Sequence, residues 1–249
     1  DALTIQNEPL HPGNNPSLLM LADQQARFIG QHLGPAFRQA GIQTKIVIYD
    51  HNADRPDYPI SVLSDPIANP FIDGSAFHLY GGQIEALSEV HRAFPDKSLY
   101  FTEQWVGAPG NLEGDIAWHV KNLLIGAPRN WAKTVLEWNL SSNPSLSPHT
   151  DRGGCHRCLG AITIGGDSVT RNPAYYVIAH ASKLVDPGSY RIGSSMPEGL
   201  PNVAFLRADG KQVLIVQNES KATKQFEIRS GKQHFKASLP AGATGTWLW

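Results

Sequence analysis

Lys45-Ile46-Val47-Ile48-Tyr49 is an apolar run with no polar interruption after its lysine. A strand with one wet face alternates; an unbroken run is what a parallel strand covered on both faces needs. Parallel neighbours can be joined only by a crossover of a dozen or more residues, normally a helix. This segment therefore commits its surroundings to βαβ units, and the flanking sequence agrees. Strand-like pieces occur at Leu3 to Gln6, Ala76 to Tyr80, Ser98 to Trp105 and Trp131 to Trp138. Helical stretches separate them. The first has Ser17 as N-cap, a stripe through Leu18, Leu21, Ala22, Phe28, Ile29 and Leu33, and Gly41 as its stop. Others are expected near 60–70, 83–93 and 113–124. A Pro/Asn-rich loop is expected from His11 to Pro16. The pattern βαβαβαβαβ gives an α/β layer or barrel.

Each strand-like piece ends in polar residues: Asn7-Glu8, Asp50-His51-Asn52, His78 and Tyr80, Glu103, and Trp138-Asn139. In a barrel the site lies at the C-terminal ends of the strands, so these clusters converge on one pocket. A carboxylate at the mouth of a buried strand costs free energy unless it is paired or used. Two of them, Glu8 and Glu103, stand 95 residues apart. Glycoside hydrolysis needs two carboxyl groups, one to protonate the leaving oxygen and one to attack or to activate water. The plain alternative for each is a solvated strand end.

Asn7-Glu8-Pro9 after one strand, with Thr102-Glu103-Gln104-Trp105 at the end of another, resembles the retaining β-glycosidases of glycoside hydrolase family 30. That family includes glucosylceramidases and β-1,6-glucanases. Phe77-His78-Leu79-Tyr80 and Glu137-Trp138-Asn139-Leu140 are placed as the family places similar words. The resemblance covers nearly the whole chain. It implies a (β/α)8 barrel with a β-sandwich beside it. It makes Glu8 the general acid/base and Glu103 the nucleophile. Asn7 would bond the sugar 2-hydroxyl. His78 and Tyr80, two apart on one strand and so on one face, would orient Glu103 or line the sugar site. Trp138 would stack on a sugar face and Asn139 would bond a hydroxyl; core packing is the other reading of Trp138. Trp118, Trp131, Trp247 and Trp249 read as structural.

The family places Asn-Glu-Pro after its fourth barrel strand, so the resemblance implies a chain that starts at strand four. Five parallel strands do not close an eight-stranded barrel and leave an open edge. A complementary chain or oligomer completing the barrel is one expectation, and a fragment of a longer enzyme another. The substrate expected is a β-linked glucoside or glucan. A non-catalytic carbohydrate-binding or scaffold role is the alternative.

Beyond Pro187-Gly188 the character changes. Short alternating pieces at Asn202 to Arg207, Gln212 to Asn218, Lys224 to Arg229, His234 to Leu239 and Thr244 to Trp249 predict an antiparallel β-sandwich. The division expected is therefore 1–187, the barrel part, and 188–249, the sandwich. Before it, Ala161 to Ile164 reads as a strand, and Asn172-Pro173 opens a helix.

The loop 141–160 holds the two cysteines, Cys155 and Cys158. A structural zinc site needs four ligands; His149 and His156 could complete one, but no second cysteine pair exists. The glycines around the pair argue against a thioredoxin-type motif. A loop disulfide in an exported protein, or two free thiols, are the readings left. No cofactor and no metal are expected. A net charge of −1 gives no electrostatic case for nucleic acid or an anionic membrane, and no apolar run is long enough to span a bilayer. The chain is expected to be secreted or periplasmic.

Overall fold

The computed structural model describes residues 1–13 and 17–249, so the end of the expected His11 to Pro16 loop lies outside the described residues. The chain forms two compact units. The first comprises Asp1–Trp105, Asn130–Trp138 and Ser145–Cys158; the second comprises Val106–Arg129, Asn139–Pro144 and Leu159–Trp249.

The first unit is built on β1 (Ala2–Thr4), β2 (Lys45–Ala53), β3 (Ile72–Gly82), β4 (Ser98–Glu103) and β5 (Ala132–Val135). They form one sheet in the order β1-β2-β3-β4-β5, and every neighbouring pair is parallel. The order follows the chain without reversal. That is the winding of a barrel wall, whereas a doubly wound sheet reverses at a switch point. β1 and β5 are the edges. Leu3, Thr4, Val47, Tyr100, Thr102 and Thr134, from four of the five strands, line a cavity of about 780 Å³. In a closed barrel such space is filled by side chains.

The strands are buried as their apolar runs require: Ile48, Tyr49, Phe77, Leu99 and Phe101 are almost inaccessible. α1 (Ala22–Phe28), a π-helical turn Ile29–Leu33 and α2 (Gly34–Ala40) follow the first strand, and Gly41 ends them with a left-handed φ of 66°. The helix starts five residues after Ser17. Gln24 accepts the Leu21 N–H (2.8 Å), which supplies the cap, while Ser17 donates to the His11 carbonyl (3.1 Å). The buried face is consequently Gln25, Ala26, Ile29 and Gly30, and Leu18, Leu21 and Phe28 are exposed. α3 (Asp57–Leu63) lies in the crossover from β2 to β3 and α4 (Ala86–Ala93) in that from β3 to β4.

The second unit contains α5 (Leu112–His119), continued by a π-helical stretch Val120–Gly126, and α6 (Pro173–Ser182). A small sheet joins β6 (Ser141–Ser142), β7 (Ile162–Gly165) and β8 (Ser168–Arg171). Four antiparallel strands follow in the order β9 (Tyr190–Ile192), β10 (Asn202–Leu206), β11 (Gln212–Gln217) and β14 (Thr244–Leu248). β12 (Lys224–Ser230) and β13 (Gln233–Leu239) pair as a separate hairpin. Leu200, Val216 and Leu239 form a core against which Phe226 and Trp247 pack. Trp249 meets Phe235 edge-on at 5.5 Å. Trp118 is part-exposed on α5, and Trp131, in the first unit, stacks on His91 at 3.9 Å at the surface. No helix among the described residues is long and apolar enough to cross a membrane.

Candidate active site

β2 does not run straight to its end. Tyr49 and Asp50 both take left-handed backbone angles (φ 70° and 62°), and the pairing with β3 shifts register between Tyr49 and His51. Such angles cost of order 1–3 kcal/mol for a non-glycine residue and persist where the surroundings over-determine them. The bulge takes the Tyr49 N–H out of the ladder. Gln25, fully buried on α1, accepts it (3.0 Å). Glu8 is also left-handed (φ 47°), and its N–H bonds the Asp50 carbonyl (2.9 Å). Gln25 thus fixes Tyr49 while Glu8 and Asp50 hold one another, and Glu8, Asp50 and His51 are delivered buried.

His78, on β3, lies between two carboxylates. Its Nδ1 is 3.1 Å from Glu8 Oε1 and its Nε2 is 3.1 Å from Asp50 Oδ1. Burial disfavours the charged imidazole, but the bonds to Asp50 and Glu8 prevail and raise its pKa to about 9. His78 is accordingly an imidazolium at neutral pH, donating to both acids. Burial likewise opposes ionisation of Asp50, but His78 and Thr102, whose hydroxyl donates at 2.7 Å, hold its pKa below the usual carboxylate range.

Glu103 ends β4 directly beside His78 in the parallel register. The Tyr80 hydroxyl donates to its Oε1 at 3.0 Å. Burial pushes the Glu103 carboxyl up, His78 and Tyr80 pull it down, and the charges of Glu8 and Asp50 push it up again; the net shift is upward. Burial and the neighbouring Glu103 raise Tyr80 itself, so its phenol stays protonated. His51 Nδ1 is 3.9 Å from Glu8 Oε1 and has no hydrogen-bond partner among the described residues; burial lowers its pKa.

The structure brings Glu8, His78, Tyr80 and Glu103 together: Glu8 meets His78, the His78 and Tyr80 rings lie 6.0 Å apart, and Tyr80 meets Glu103. Asn7 is exposed next to Glu8. Trp138 is half-exposed; its backbone N–H donates to the Gln104 carbonyl (2.7 Å) and its backbone bridges to Trp105, where β4 and β5 run out. Asn139 belongs to the second unit, where its carbonyl accepts the Ala161 N–H (2.8 Å). Its Oδ1 is buried with no hydrogen-bond partner among the described residues. Cys155 and Cys158 are joined as a disulfide with Cα atoms 5.6 Å apart. In the same loop Arg157 lies over the Trp105 ring at 5.9 Å. The sequence places Asp50 and His51 at the pocket without a role and gives Thr102 none beyond its place beside Glu103. The signal was present in the cluster Asp50-His51-Asn52, but the register shift that aims those side chains has no sequence signature.

The chain resembles known proteins along nearly its whole length. Residues 2–185 match the glycosyl hydrolase family 30 TIM-barrel domain and 188–247 match the family 30 beta sandwich domain. An endo-1,6-β-D-glucanase of Aspergillus fumigatus is 34% identical over 260 residues, covering all of this chain and 51% of that protein. The lysosomal acid glucosylceramidase of Mus musculus is 29% identical, covering all of this chain and 52% of that protein. Among solved structures, the endo-β1,6-glucanase BT3312 superposes with a TM-score of 0.92 at 33% identity, covering all of this chain and 57% of that one. The chain spans about half the length of the curated relatives it matches.

Proposed function

The chain belongs to glycoside hydrolase family 30, and we propose that it carries the two catalytic carboxylates of a retaining β-glycosidase, Glu8 as acid/base and Glu103 as nucleophile. The observation that carries the assignment is the wiring of both carboxylates to one strand. β3 presents His78 to Glu8 and Tyr80 to Glu103. In this reading His78 orients Glu8, and Asp50 holds His78 from behind. Tyr80 stabilises Glu103 as the carboxylate that attacks the anomeric carbon. A glycosyl ester forms while Glu8 gives its proton to the leaving oxygen; Glu8 then takes a proton from the water that releases the sugar. Asn7 and Trp138 are assigned to sugar binding at the rim, and Asn139 to a sugar hydroxyl.

For substrate we propose a β-1,6-linked glucan. The 33–34% identity to two endo-β-1,6-glucanases supports it over glucosylceramide, whose hydrolase is 29% identical. Turnover requires a closed barrel, with the remaining strands supplied by the same polypeptide, a companion chain or an oligomer. The disulfide supports placement in an oxidising, secreted or periplasmic compartment. We read 1–187 as the barrel part and 188–249 as the sandwich.

Azide separates the two roles. Glu103→Ala in the gene product that carries these residues abolishes turnover of every β-glucoside, because no ester can form. Glu8→Ala still forms the ester from a dinitrophenyl glucoside, which needs no protonation, and then stalls. Azide rescues Glu8→Ala to the β-glycosyl azide, and Glu103→Ala to the α-product. The reverse stereochemistry swaps the assignment, and unimpaired hydrolysis by both variants removes these residues from the active site.

A further inference from the structure

One group near the proposed acid/base has no part in the mechanism above. His51 is buried, yet its Nδ1 is unpartnered by any hydrogen bond among the described residues. It stands 3.9 Å from Glu8 Oε1, the oxygen that His78 Nδ1 reaches at 3.1 Å. One ligand atom from each of Glu8, His51 and His78 lies within 4.8 Å of the others. Two imidazoles and one carboxylate with an open fourth position is a ligand set of open zinc sites. Metal–ligand bonds of 2.0–2.2 Å in a tetrahedron place ligand atoms about 3.4 Å apart; Glu8 and His78 are already near that spacing at 3.1 Å, and His51, at 3.9 Å from Glu8 Oε1, has to move inward.

The surroundings also fit. A metal-bound histidine usually donates its other ring N–H to a carboxylate. His78 does so through Nε2 to Asp50 Oδ1 (3.1 Å), and Asp50 is itself held by the Thr102 hydroxyl (2.7 Å). The backbone that presents His51 is the strained bulge of β2, so its position is imposed. Two nitrogens exclude magnesium and calcium, which take oxygen ligands, and favour zinc and its transition-metal neighbours.

We propose that Glu8, His51 and His78 form a facultative zinc site that overlaps the acid/base and blocks it. Zn²⁺ takes the place of the proton shared between His78 Nδ1 and Glu8 Oε1, and that proton leaves to solvent. The binding itself needs only the geometry; its effect on turnover rests on Glu8 being the acid/base. Zinc here is an inhibitor, and the sugar chemistry does not pass through it.

Co²⁺ added to the chelator-treated gene product reports binding without any need for activity. One Co²⁺ per chain with the visible absorption of four-coordinate N/O ligation, displaced by Zn²⁺, is the expected result. His51→Asn and Glu8→Gln each weaken it at least about tenfold, the lower end of what even outer-shell changes cost a metal site. Equal Co²⁺ binding by wild type and His51→Asn, or no visible band, overturns the proposal. Should His51→Asn not fold, ring-nitrogen NMR of the wild type decides. Zn²⁺ must move His51 and His78, and movement confined to other histidines overturns the site. With a β-glucoside as substrate, Zn²⁺ inhibits, a chelator restores activity, and Mg²⁺ does neither. Normal hydrolysis at saturating Zn²⁺ overturns the block. A wild-type protein that hydrolyses no β-glucoside fails the function assigned above and leaves the Co²⁺ result to judge the site.

Discussion

Glu103 is pulled in opposite directions by its surroundings, and the Tyr80 hydroxyl is one of two groups that hold its upward shift down. Burial raises its carboxyl pKa, and the Tyr80 hydrogen bond lowers it. Tyr80→Phe removes that bond, so the pKa rises further. A nucleophile must be ionised, and the acid limb of kcat/KM reports that ionisation in the free enzyme. The limb should therefore move to higher pH in Tyr80→Phe; a limb that stays in place would disconnect Tyr80 from Glu103. Glu8, Glu103, His78 and Tyr80 were legible because each follows or closes an apolar run and stands in words that resemble the family's, Asn7-Glu8-Pro9, Phe77-His78-Leu79-Tyr80 and Thr102-Glu103-Gln104-Trp105. Asp50 and His51 were visible only as a polar cluster. Their roles depend on two successive left-handed residues, neither of them glycine, and nothing in Tyr49-Asp50 announces that.

At the scale of elements, the site depends on how a helix supports a bulge. Gln25 on α1 is the hydrogen-bond partner that the Tyr49 N–H finds outside the ladder. Gln25→Leu leaves that buried donor unmet at a cost of about 1–3 kcal/mol, and it should lower activity with stability, because the bulge aims Asp50 and His51. Urea unfolding and kcat/KM measured on the same variant check this; a stability loss with unchanged kcat/KM would uncouple the helix from the site. β3 and β4 meet closely at Gly74, where an added Cβ would fall 1.9 Å from the Ser98 carbonyl oxygen. Backbone cannot yield as a side-chain tip does, so Gly74→Ala should cost at least the 1–3 kcal/mol usual for overpacking. An unfolding midpoint equal to wild type would contradict that contact. The strands were legible because buried parallel strands are unbroken apolar runs. The start of α1 was not. Leu18 and Leu21 keep the helical period with Phe28 and Ile29, but Gln24 caps the helix at Leu21, and Leu18 and Leu21 stay exposed.

Taken whole, the molecule pairs a parallel barrel wall with antiparallel sheets, and both parts match their family 30 counterparts. The change of pattern near residue 188 was legible because the periodicity switches from unbroken runs to short alternating pieces. In a closed barrel the carboxyl groups of Glu8 and Glu103 should stand about 5–5.5 Å apart, the retaining spacing; a separation near 9 Å would indicate inversion. The most direct measurement of the central claim is covalent trapping. A dinitrophenyl 2-deoxy-2-fluoro-β-glucoside slows both steps, and its good leaving group lets the first proceed, so the glycosyl ester accumulates. Peptide mass spectrometry of the treated gene product should find one fluoroglucosyl group, on Glu103, and none in Glu103→Ala. A label on any other residue, or hydrolysis with inversion and no label, would contradict the account.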